Sequence, residues 1–299
     1  MPAIYVIIAS VLFGIFPTIQ DHVMQTGVTP MGIVLSCNGI ACIFSMLIAK
    51  KSGLSLRVTR NQLFHLGLIG ILGLLITDLL KSVAFTMIPV GFVVMIHFMY
   101  PALVCVAGGI FFKEKIRFNN VLAIIASMAG MAMLTGSGFS GNPAGIFVAF
   151  LTALSYVYYM MASERTSVAQ LAPIVRVFYT NMFVIMAIAP VAFVKGAVLP
   201  SGVFNWGCCL LVGAMLCGGA MFLNMGIHHL GAGKAAFINM LEPVTSMLIS
   251  VVFLGVSLTF SAVLGCLLIM GSLCFNSLEP KKLTAAQLFP ELDDSTGRD

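Results

Sequence analysis

The sequence predicts an all-α integral membrane protein with ten transmembrane helices in two inverted five-helix repeats, and three observations carry that prediction. Of its 299 residues 60% are apolar and only 8% are charged, whereas soluble domains run near ~45–50% apolar and ~25% charged. The apolar residues form long runs, not the segments of about 10 residues with alternating polarity that mark a membrane β-barrel. A shift of the chain by 142 residues places Pro101 on Pro243, Phe111 on Phe253 and Phe118 on Phe260. A charged skin cannot be built from 15 basic and 10 acidic residues, so a soluble enzyme and a nucleic-acid binder are both excluded.

A bilayer crossing needs roughly 20 mostly apolar residues. With Gly, Pro and charge clusters as punctuation, the spans fall at about 3–20, 31–49, 63–83, 89–112 and 118–136, then 143–163, 171–194, 205–228, 232–255 and 260–278. The first opens on Met1-Pro2-Ala3 without the basic segment of a signal peptide, so it is expected to be retained. Lys50 and Lys51 end the second, and Lys113-Glu114-Lys115-Ile116-Arg117 separates the fourth from the fifth. Repeat one is thus 3–136 and repeat two 143–278, followed by 279–299, a tail with five of the ten acids that is expected to be flexible and cytoplasmic.

Charge sets the orientation. With the N-terminus inside, Lys50, Lys51, Arg57, Arg60, Lys113, Lys115, Arg117, Arg165, Lys281, Lys282 and Arg298 share the cytoplasmic side, and Lys195 stands alone opposite. This is a strong positive-inside bias, and it puts both termini in the cytoplasm. Eight cysteines (37, 42, 105, 208, 209, 217, 266 and 274) all fall within spans without metal-ligand spacing. They read as small apolar residues, with no disulfide framework and no metal site. His228 and His229 lack further ligands nearby.

The 142-residue shift also places Val121 on Val263, Leu122 on Leu264 and Met128 on Met270. Five spans per half is an odd number, which turns the second half upside down. The loops agree, since basic 113–117 corresponds to uncharged 255–259. Inverted repeats of this kind are characteristic of secondary transporters.

At these residues the chain resembles the drug/metabolite transporter superfamily with EamA-type repeats. The resemblance rests on Tyr100-Pro101, Phe111-Phe112-Lys113-Glu114-Lys115 and Gly130 in the first half. In the second half it rests on Leu241-Glu242-Pro243-Val244, Phe253-Leu254-Gly255 and Gly265, and it covers roughly 3–278. It implies ten helices and a central cavity for a small organic solute. One departure is Val256, where the family usually carries a glutamate. The family's motifs specify the fold better than the cargo.

Charged groups at membrane depth cost at least ~2.5–3.5 kcal/mol each and so point to function. Glu242 lies near the middle of span nine, and Pro243 behind it leaves the carbonyl of Asn239 without its helical donor. Asn239 and Glu242 share a helix face. Pro101 does the same for His97, which shares a face with Tyr100, and the repeat shift carries His97 to Asn239 and Tyr100 to Glu242. These four residues are the expected midplane site, against the alternative that Glu242 only hydrogen-bonds a neighbouring helix. Asp78 and Lys81, three apart, read as a neutralising pair or as a gate and proton site. Arg176, with Asn181 deeper in span seven, attracts a substrate carboxylate or reaches lipid phosphate. Tyr156, Tyr158 and Tyr159 can line a cavity and hold a cation by ring faces, though the only tryptophan, Trp206, sits at a helix end. Gly67, Gly70 and Gly73, with the pairs Gly108-Gly109 and Gly218-Gly219, read as close helix packing.

The expected function is a secondary carrier, not an enzyme, for a small polar metabolite, foremost an amino acid or related zwitterion. Export follows from the resemblance. A proton acting through Glu242, Asp78 or His97 is one driving force, and uniport or exchange fits equally well. The runner-up is an importer or exchanger of organic cations or nucleotide-linked metabolites. No ATP-binding loop or cofactor is indicated, the partners are solute and lipid bilayer, and a homodimer stays open. Absence of Asn-x-Ser/Thr agrees with a bacterial cytoplasmic (inner) membrane, an organelle staying open.

Overall fold

The computed structural model describes residues 2–114, 118–135, 142–254 and 259–277. The tail, the basic stretch Lys115–Arg117 and the Val256 departure lie outside the described residues. Every regular element among them is helical. We label them α1 (Ala3–Met24), α2 (Pro30–Lys51), α3 (Arg60–Phe85), α4a (Val90–His97), α4b (Tyr100–Phe112) and α5 (Phe118–Thr135). The chain continues with α6 (Pro143–Arg165), α7 (Pro173–Val194), α8 (Gly202–Leu230), α9a (Ala232–Ile238), α9b (Leu241–Leu254) and α10 (Phe260–Ser277).

Among the described residues, eight segments are long and apolar enough to cross a bilayer: α1, α2, α3, α6, α7, α8 and the two broken rods α4a–α4b and α9a–α9b. The apolar stretches of α5 and α10 are shorter, Val121–Met133 and Phe260–Ser272. The outward surface is apolar, with Phe193 89% and Val203 93% exposed, as expected of helices whose solvent is lipid.

The starts of the helices follow from local chemistry. Thr29 accepts a bond from Gly32 N ahead of α2, whose first residue is Pro30. Thr59 and Gln62 form a reciprocal capping box on α3, and Asn142 caps α6 ahead of Pro143. Lys50 and Lys51 close α2, where cations complement the helix dipole.

Packing follows a regular rule. α1 packs on α8 and on both halves of α9, as α6 packs on α3 and on both halves of α4. α2 packs on α8 as α7 packs on α3, while α2 with α7 and α5 with α10 pair directly. Exchanging the first five helices for the last five, in order, maps this packing onto itself. The two breaks fall at Phe98–Met99 and Asn239–Met240, matching to within one residue under the 142-residue shift.

Two glycine readings separate here. In α3 a π-helical stretch, Ile69–Leu75, interrupts the α-helix, and the hydroxyl of Ser155 donates to the Leu72 carbonyl. A Cβ on Gly70 would lie 2.7 Å from the Thr180 carbonyl, and one on Gly73 would lie 2.9 Å from Tyr159 Cβ. These glycines do allow close helix packing. Gly108 does not: its near neighbour is the Glu114 carboxylate, 2.6 Å from a Cβ placed there. The left-handed backbone of Lys113 (φ 55°) ends α4b and folds Glu114 back over it.

Candidate functional site

The breaks in α4 and α9 bring their polar groups together in the core. Asn239 Nδ2 donates to Tyr100 OH at 3.1 Å and to Glu242 Oε2 at 3.0 Å. Both amide hydrogens are then used, and its Oδ1 lies 3.1 Å from Ser10 Oγ, whose one proton it shares with the Val6 carbonyl at 2.8 Å. Tyr100 OH donates onward to the Ala236 carbonyl at 3.4 Å. Asn239 and Tyr100 are fully buried, Glu242 partly so. The second oxygen of Glu242 has no hydrogen-bond partner among the described residues, nor does any cation pair with the carboxylate. Gly14 lets α1 pack closely on the start of α9b, because a Cβ there would sit 2.8 Å from the Glu242 backbone carbonyl and 2.6 Å from Thr245 Cβ.

One expected feature differs. The Asn239 carbonyl is not left open by Pro243, because Glu242 N donates to it at 3.0 Å in a tight turn. The helix break thus consumes the acceptor that the proline releases, and the side chains carry the polarity of the site.

His97 lies on the other broken helix, buried, with Nδ1 3.2 Å from Thr152 Oγ1. The Thr152 hydroxyl donates to the Ala149 carbonyl at 2.6 Å, so its oxygen accepts and His97 Nδ1 carries the proton. Aromatic rings fill the space between. Tyr156 meets Tyr100 edge-on at 4.6 Å and His97 at 5.3 Å, and it stacks on Tyr159 at 5.2 Å. Tyr159 OH in turn accepts from Asn224 Nδ2 at 3.1 Å.

Arg176 ends this chain of contacts. It is 1% exposed, which rules out the lipid-phosphate reading. Its Nε donates to the Leu171 carbonyl at 3.0 Å, Nη1 to the Ser163 carbonyl at 3.1 Å and to Asn224 Oδ1 at 3.4 Å, and Nη2 to the Ala169 carbonyl at 3.3 Å. These carbonyls end α6 and line its link to α7, where helix geometry leaves acceptors unfilled and a cation is favoured. Four of five donors are occupied by the fold. Asn181 is buried, and its amide donates to Val177 of its own helix at 2.8 Å; no hydrogen bond among the described residues joins it to the cluster.

Asp78 and Lys81 do not form the expected neutralising pair, as neither takes part in an ion pair among the described residues. Asp78 instead lines a cavity of about 290 Å³ between α2, α3 and α7.

At the basic end of the bundle a second polar group joins three helices. Arg165 pairs with Glu114 and lies 3.4 Å from Glu164, with its guanidinium carbon 4.7 Å over the Phe112 ring. Glu164 accepts from Ala232 N at 2.9 Å, at the positive N-terminus of α9a. The ends of α4b, α6 and α9a are tied there.

Sequence reasoning missed Ser10, Thr152, Asn224 and this Arg165 group. Ser10 and Thr152 had a signal, since they too are 142 residues apart.

Comparison with known proteins fits this architecture. The EamA-like transporter family matches twice, over residues 1–136 and 143–278. The "Uncharacterized transporter YvbV" of Bacillus subtilis (strain 168) is 26% identical over 226 residues, 70% of this chain and 70% of that protein. A crystal structure described only as that of a protein superposes with a TM-score of 0.81 at 18% identity, covering 93% of this chain and 97% of the other, and so shares its fold. With both halves matched, this chain belongs to the EamA-like transporter family, multi-pass proteins of the membrane.

Proposed function

We propose that the protein is a secondary transporter that exports a small polar metabolite, an amino acid or related zwitterion, across a bacterial cytoplasmic membrane by alternating access. One observation carries this reading: the Glu242 carboxylate stands at the junction of two broken helices from opposite halves of the chain, held by Asn239 and Tyr100, with one oxygen unclaimed. A free acceptor at depth can take the ammonium of a solute or a proton in its place. Exchange of the two is the simplest coupling, and Asp78 and Lys81 gate it.

The moving parts are two inverted five-helix repeats, 3–136 and 143–278, crossing the membrane ten times. The self-exchanging packing, the matched breaks and the doubled family match support this. Positive-inside charge supports an orientation with the Arg165 end and both termini in the cytoplasm. The Arg165 group closes that end, while the Asp78 cavity lies toward the Lys195 end. His97, Tyr156 and Tyr159 form the wall of the site; Arg176, spent on carbonyls, holds that wall through Asn224.

A second reading, transport of an organic cation, is favoured by the cluster of three tyrosine rings near Glu242, Tyr156 stacked on Tyr159 and edge-on to Tyr100. Uptake of labelled amino acids by proteoliposomes separates the two. Competition by other zwitterions supports the first reading, and competition by organic cations alone replaces it with the second.

A further inference from the structure

The cavity between α2, α3 and α7 has walls unlike those of the Glu242 cluster. Met31, Val34, Leu75, Leu79 and Ile188 make it largely apolar, and its polar side chains are Thr29, Ser82, Asp78 and Lys195. Two of these four are spent on the backbone. Thr29 Oγ1 accepts from Gly32 N at 3.2 Å and Val198 N at 3.1 Å and donates to the Val198 carbonyl at 3.4 Å. Ser82 Oγ donates to the Asp78 carbonyl at 2.9 Å. The Asp78 carboxylate and the Lys195 ammonium are left without a hydrogen bond or ion pair among the described residues.

We propose that this cavity is a second solute site, which holds a small zwitterion with an apolar body, its ammonium on Asp78 and its carboxylate on Lys195. Unpaired charge at membrane depth is costly for Asp78, and a zwitterion offers an ammonium to Asp78 and a carboxylate to Lys195 while its body covers the apolar wall. Asp78 is seven residues inside the end of α3, about 10 Å along the axis. Lys195 directly follows α7 and reaches water by extending its side chain. An amine lacking a carboxylate therefore binds more weakly than the zwitterion, and an acid lacking an amine binds least. A volume of about 290 Å³ is near the small end of ligand pockets and admits about ten water-sized groups, so leucine is a suitable probe. The inference rests on the transporter reading in one respect: it makes the cavity an exit site, occupied after Glu242 on the way out.

The test uses full-length protein in detergent, with calorimetric titration of L-leucine, leucinamide and 4-methylpentanoate. Leucine is expected to bind most tightly. Two leucine sites are expected in the wild type and one in Glu242→Gln; in that background Asp78→Asn and Lys195→Gln each weaken the remaining site at least tenfold, and Val34→Trp removes it by filling the cavity. Lys195→Gln alters an exposed loop residue, so it reads the site even where Asp78→Asn fails to fold. No leucine binding by the wild type, or binding that Lys195→Gln and Val34→Trp leave unchanged, overturns the proposal. Binding lost in Glu242→Gln but kept in the cavity variants likewise sinks the second site, and leaves the central transporter reading standing.

Discussion

Ser10 and Thr152 hold corresponding positions on corresponding helices, 142 residues apart, and each bonds the broken helix of the opposite half. Ser10 Oγ shares its one proton between the Val6 carbonyl at 2.8 Å and Asn239 Oδ1 at 3.1 Å, and Thr152 Oγ1 accepts from His97 Nδ1, 3.2 Å away. Each broken helix is therefore fastened, at its break, to the first helix of the other half. Two equivalent fastenings fit the proposed rocking of one half against the other, which would work across these contacts.

Ser10→Ala and Thr152→Ala are accordingly expected to cost similar stability. Each leaves one buried partner unsatisfied, about 1–3 kcal/mol. Thermal unfolding of the purified variants checks this, and a large cost for one with none for the other contradicts the equivalence.

Gly14 and Gly39 should respond oppositely to alanine. A methyl at Gly14 meets Thr245 Cβ at 2.6 Å and the Glu242 carbonyl at 2.8 Å, whereas nothing lies within 4 Å of one at Gly39. Gly14→Ala is expected to destabilise by about 1–3 kcal/mol through overpacking and to displace Glu242. Gly39→Ala is neutral or stabilising by about 0.5–1 kcal/mol. Unfolding temperatures of the two variants give the comparison.

Arg176 is expected to govern stability before transport. Arg176→Ala leaves the carbonyls of Ser163, Ala169 and Leu171 without their donor, at about 3 kcal/mol or more in sum. Arg176→Lys recovers less than half, because one ammonium cannot span acceptors that the planar guanidinium reaches together. A variant with wild-type stability and no transport would instead make Arg176 a direct solute contact.

The Arg165 group should behave as a latch. Its charges are partly exposed, side chains of Arg165 and Glu114 being 34% and 47% accessible, so Arg165→Gln costs no more than about 1 kcal/mol. Loss of the tie between α4b, α6 and α9a is expected to speed thiol labelling of Cys105, in a chain whose other cysteines are serine. Unchanged labelling removes the latch.

Much of this was legible in one dimension. Span positions follow from the length of apolar runs, and the 142-residue register alone brought His97, Tyr100, Asn239 and Glu242 into one argument. What failed required distances. Asp78 and Lys81 have the spacing of a pair, but they form no ion pair among the described residues, and a cavity opens beside Asp78. Arg176 looked available because its acceptors are backbone carbonyls, which every residue has and no pattern marks. Asn224 bridges Arg176 and Tyr159 only because α6, α7 and α8 meet there.

The central claim is that Glu242 exchanges solute and proton, and flux of labelled L-leucine through proteoliposomes under an imposed pH gradient tests it most directly. Glutamine at 242 retains an oxygen to accept from Asn239, so Glu242→Gln should fold normally. It cannot ionise. The account predicts flux at least tenfold below wild type and no response to the gradient. Wild-type flux with the pH response intact would contradict it.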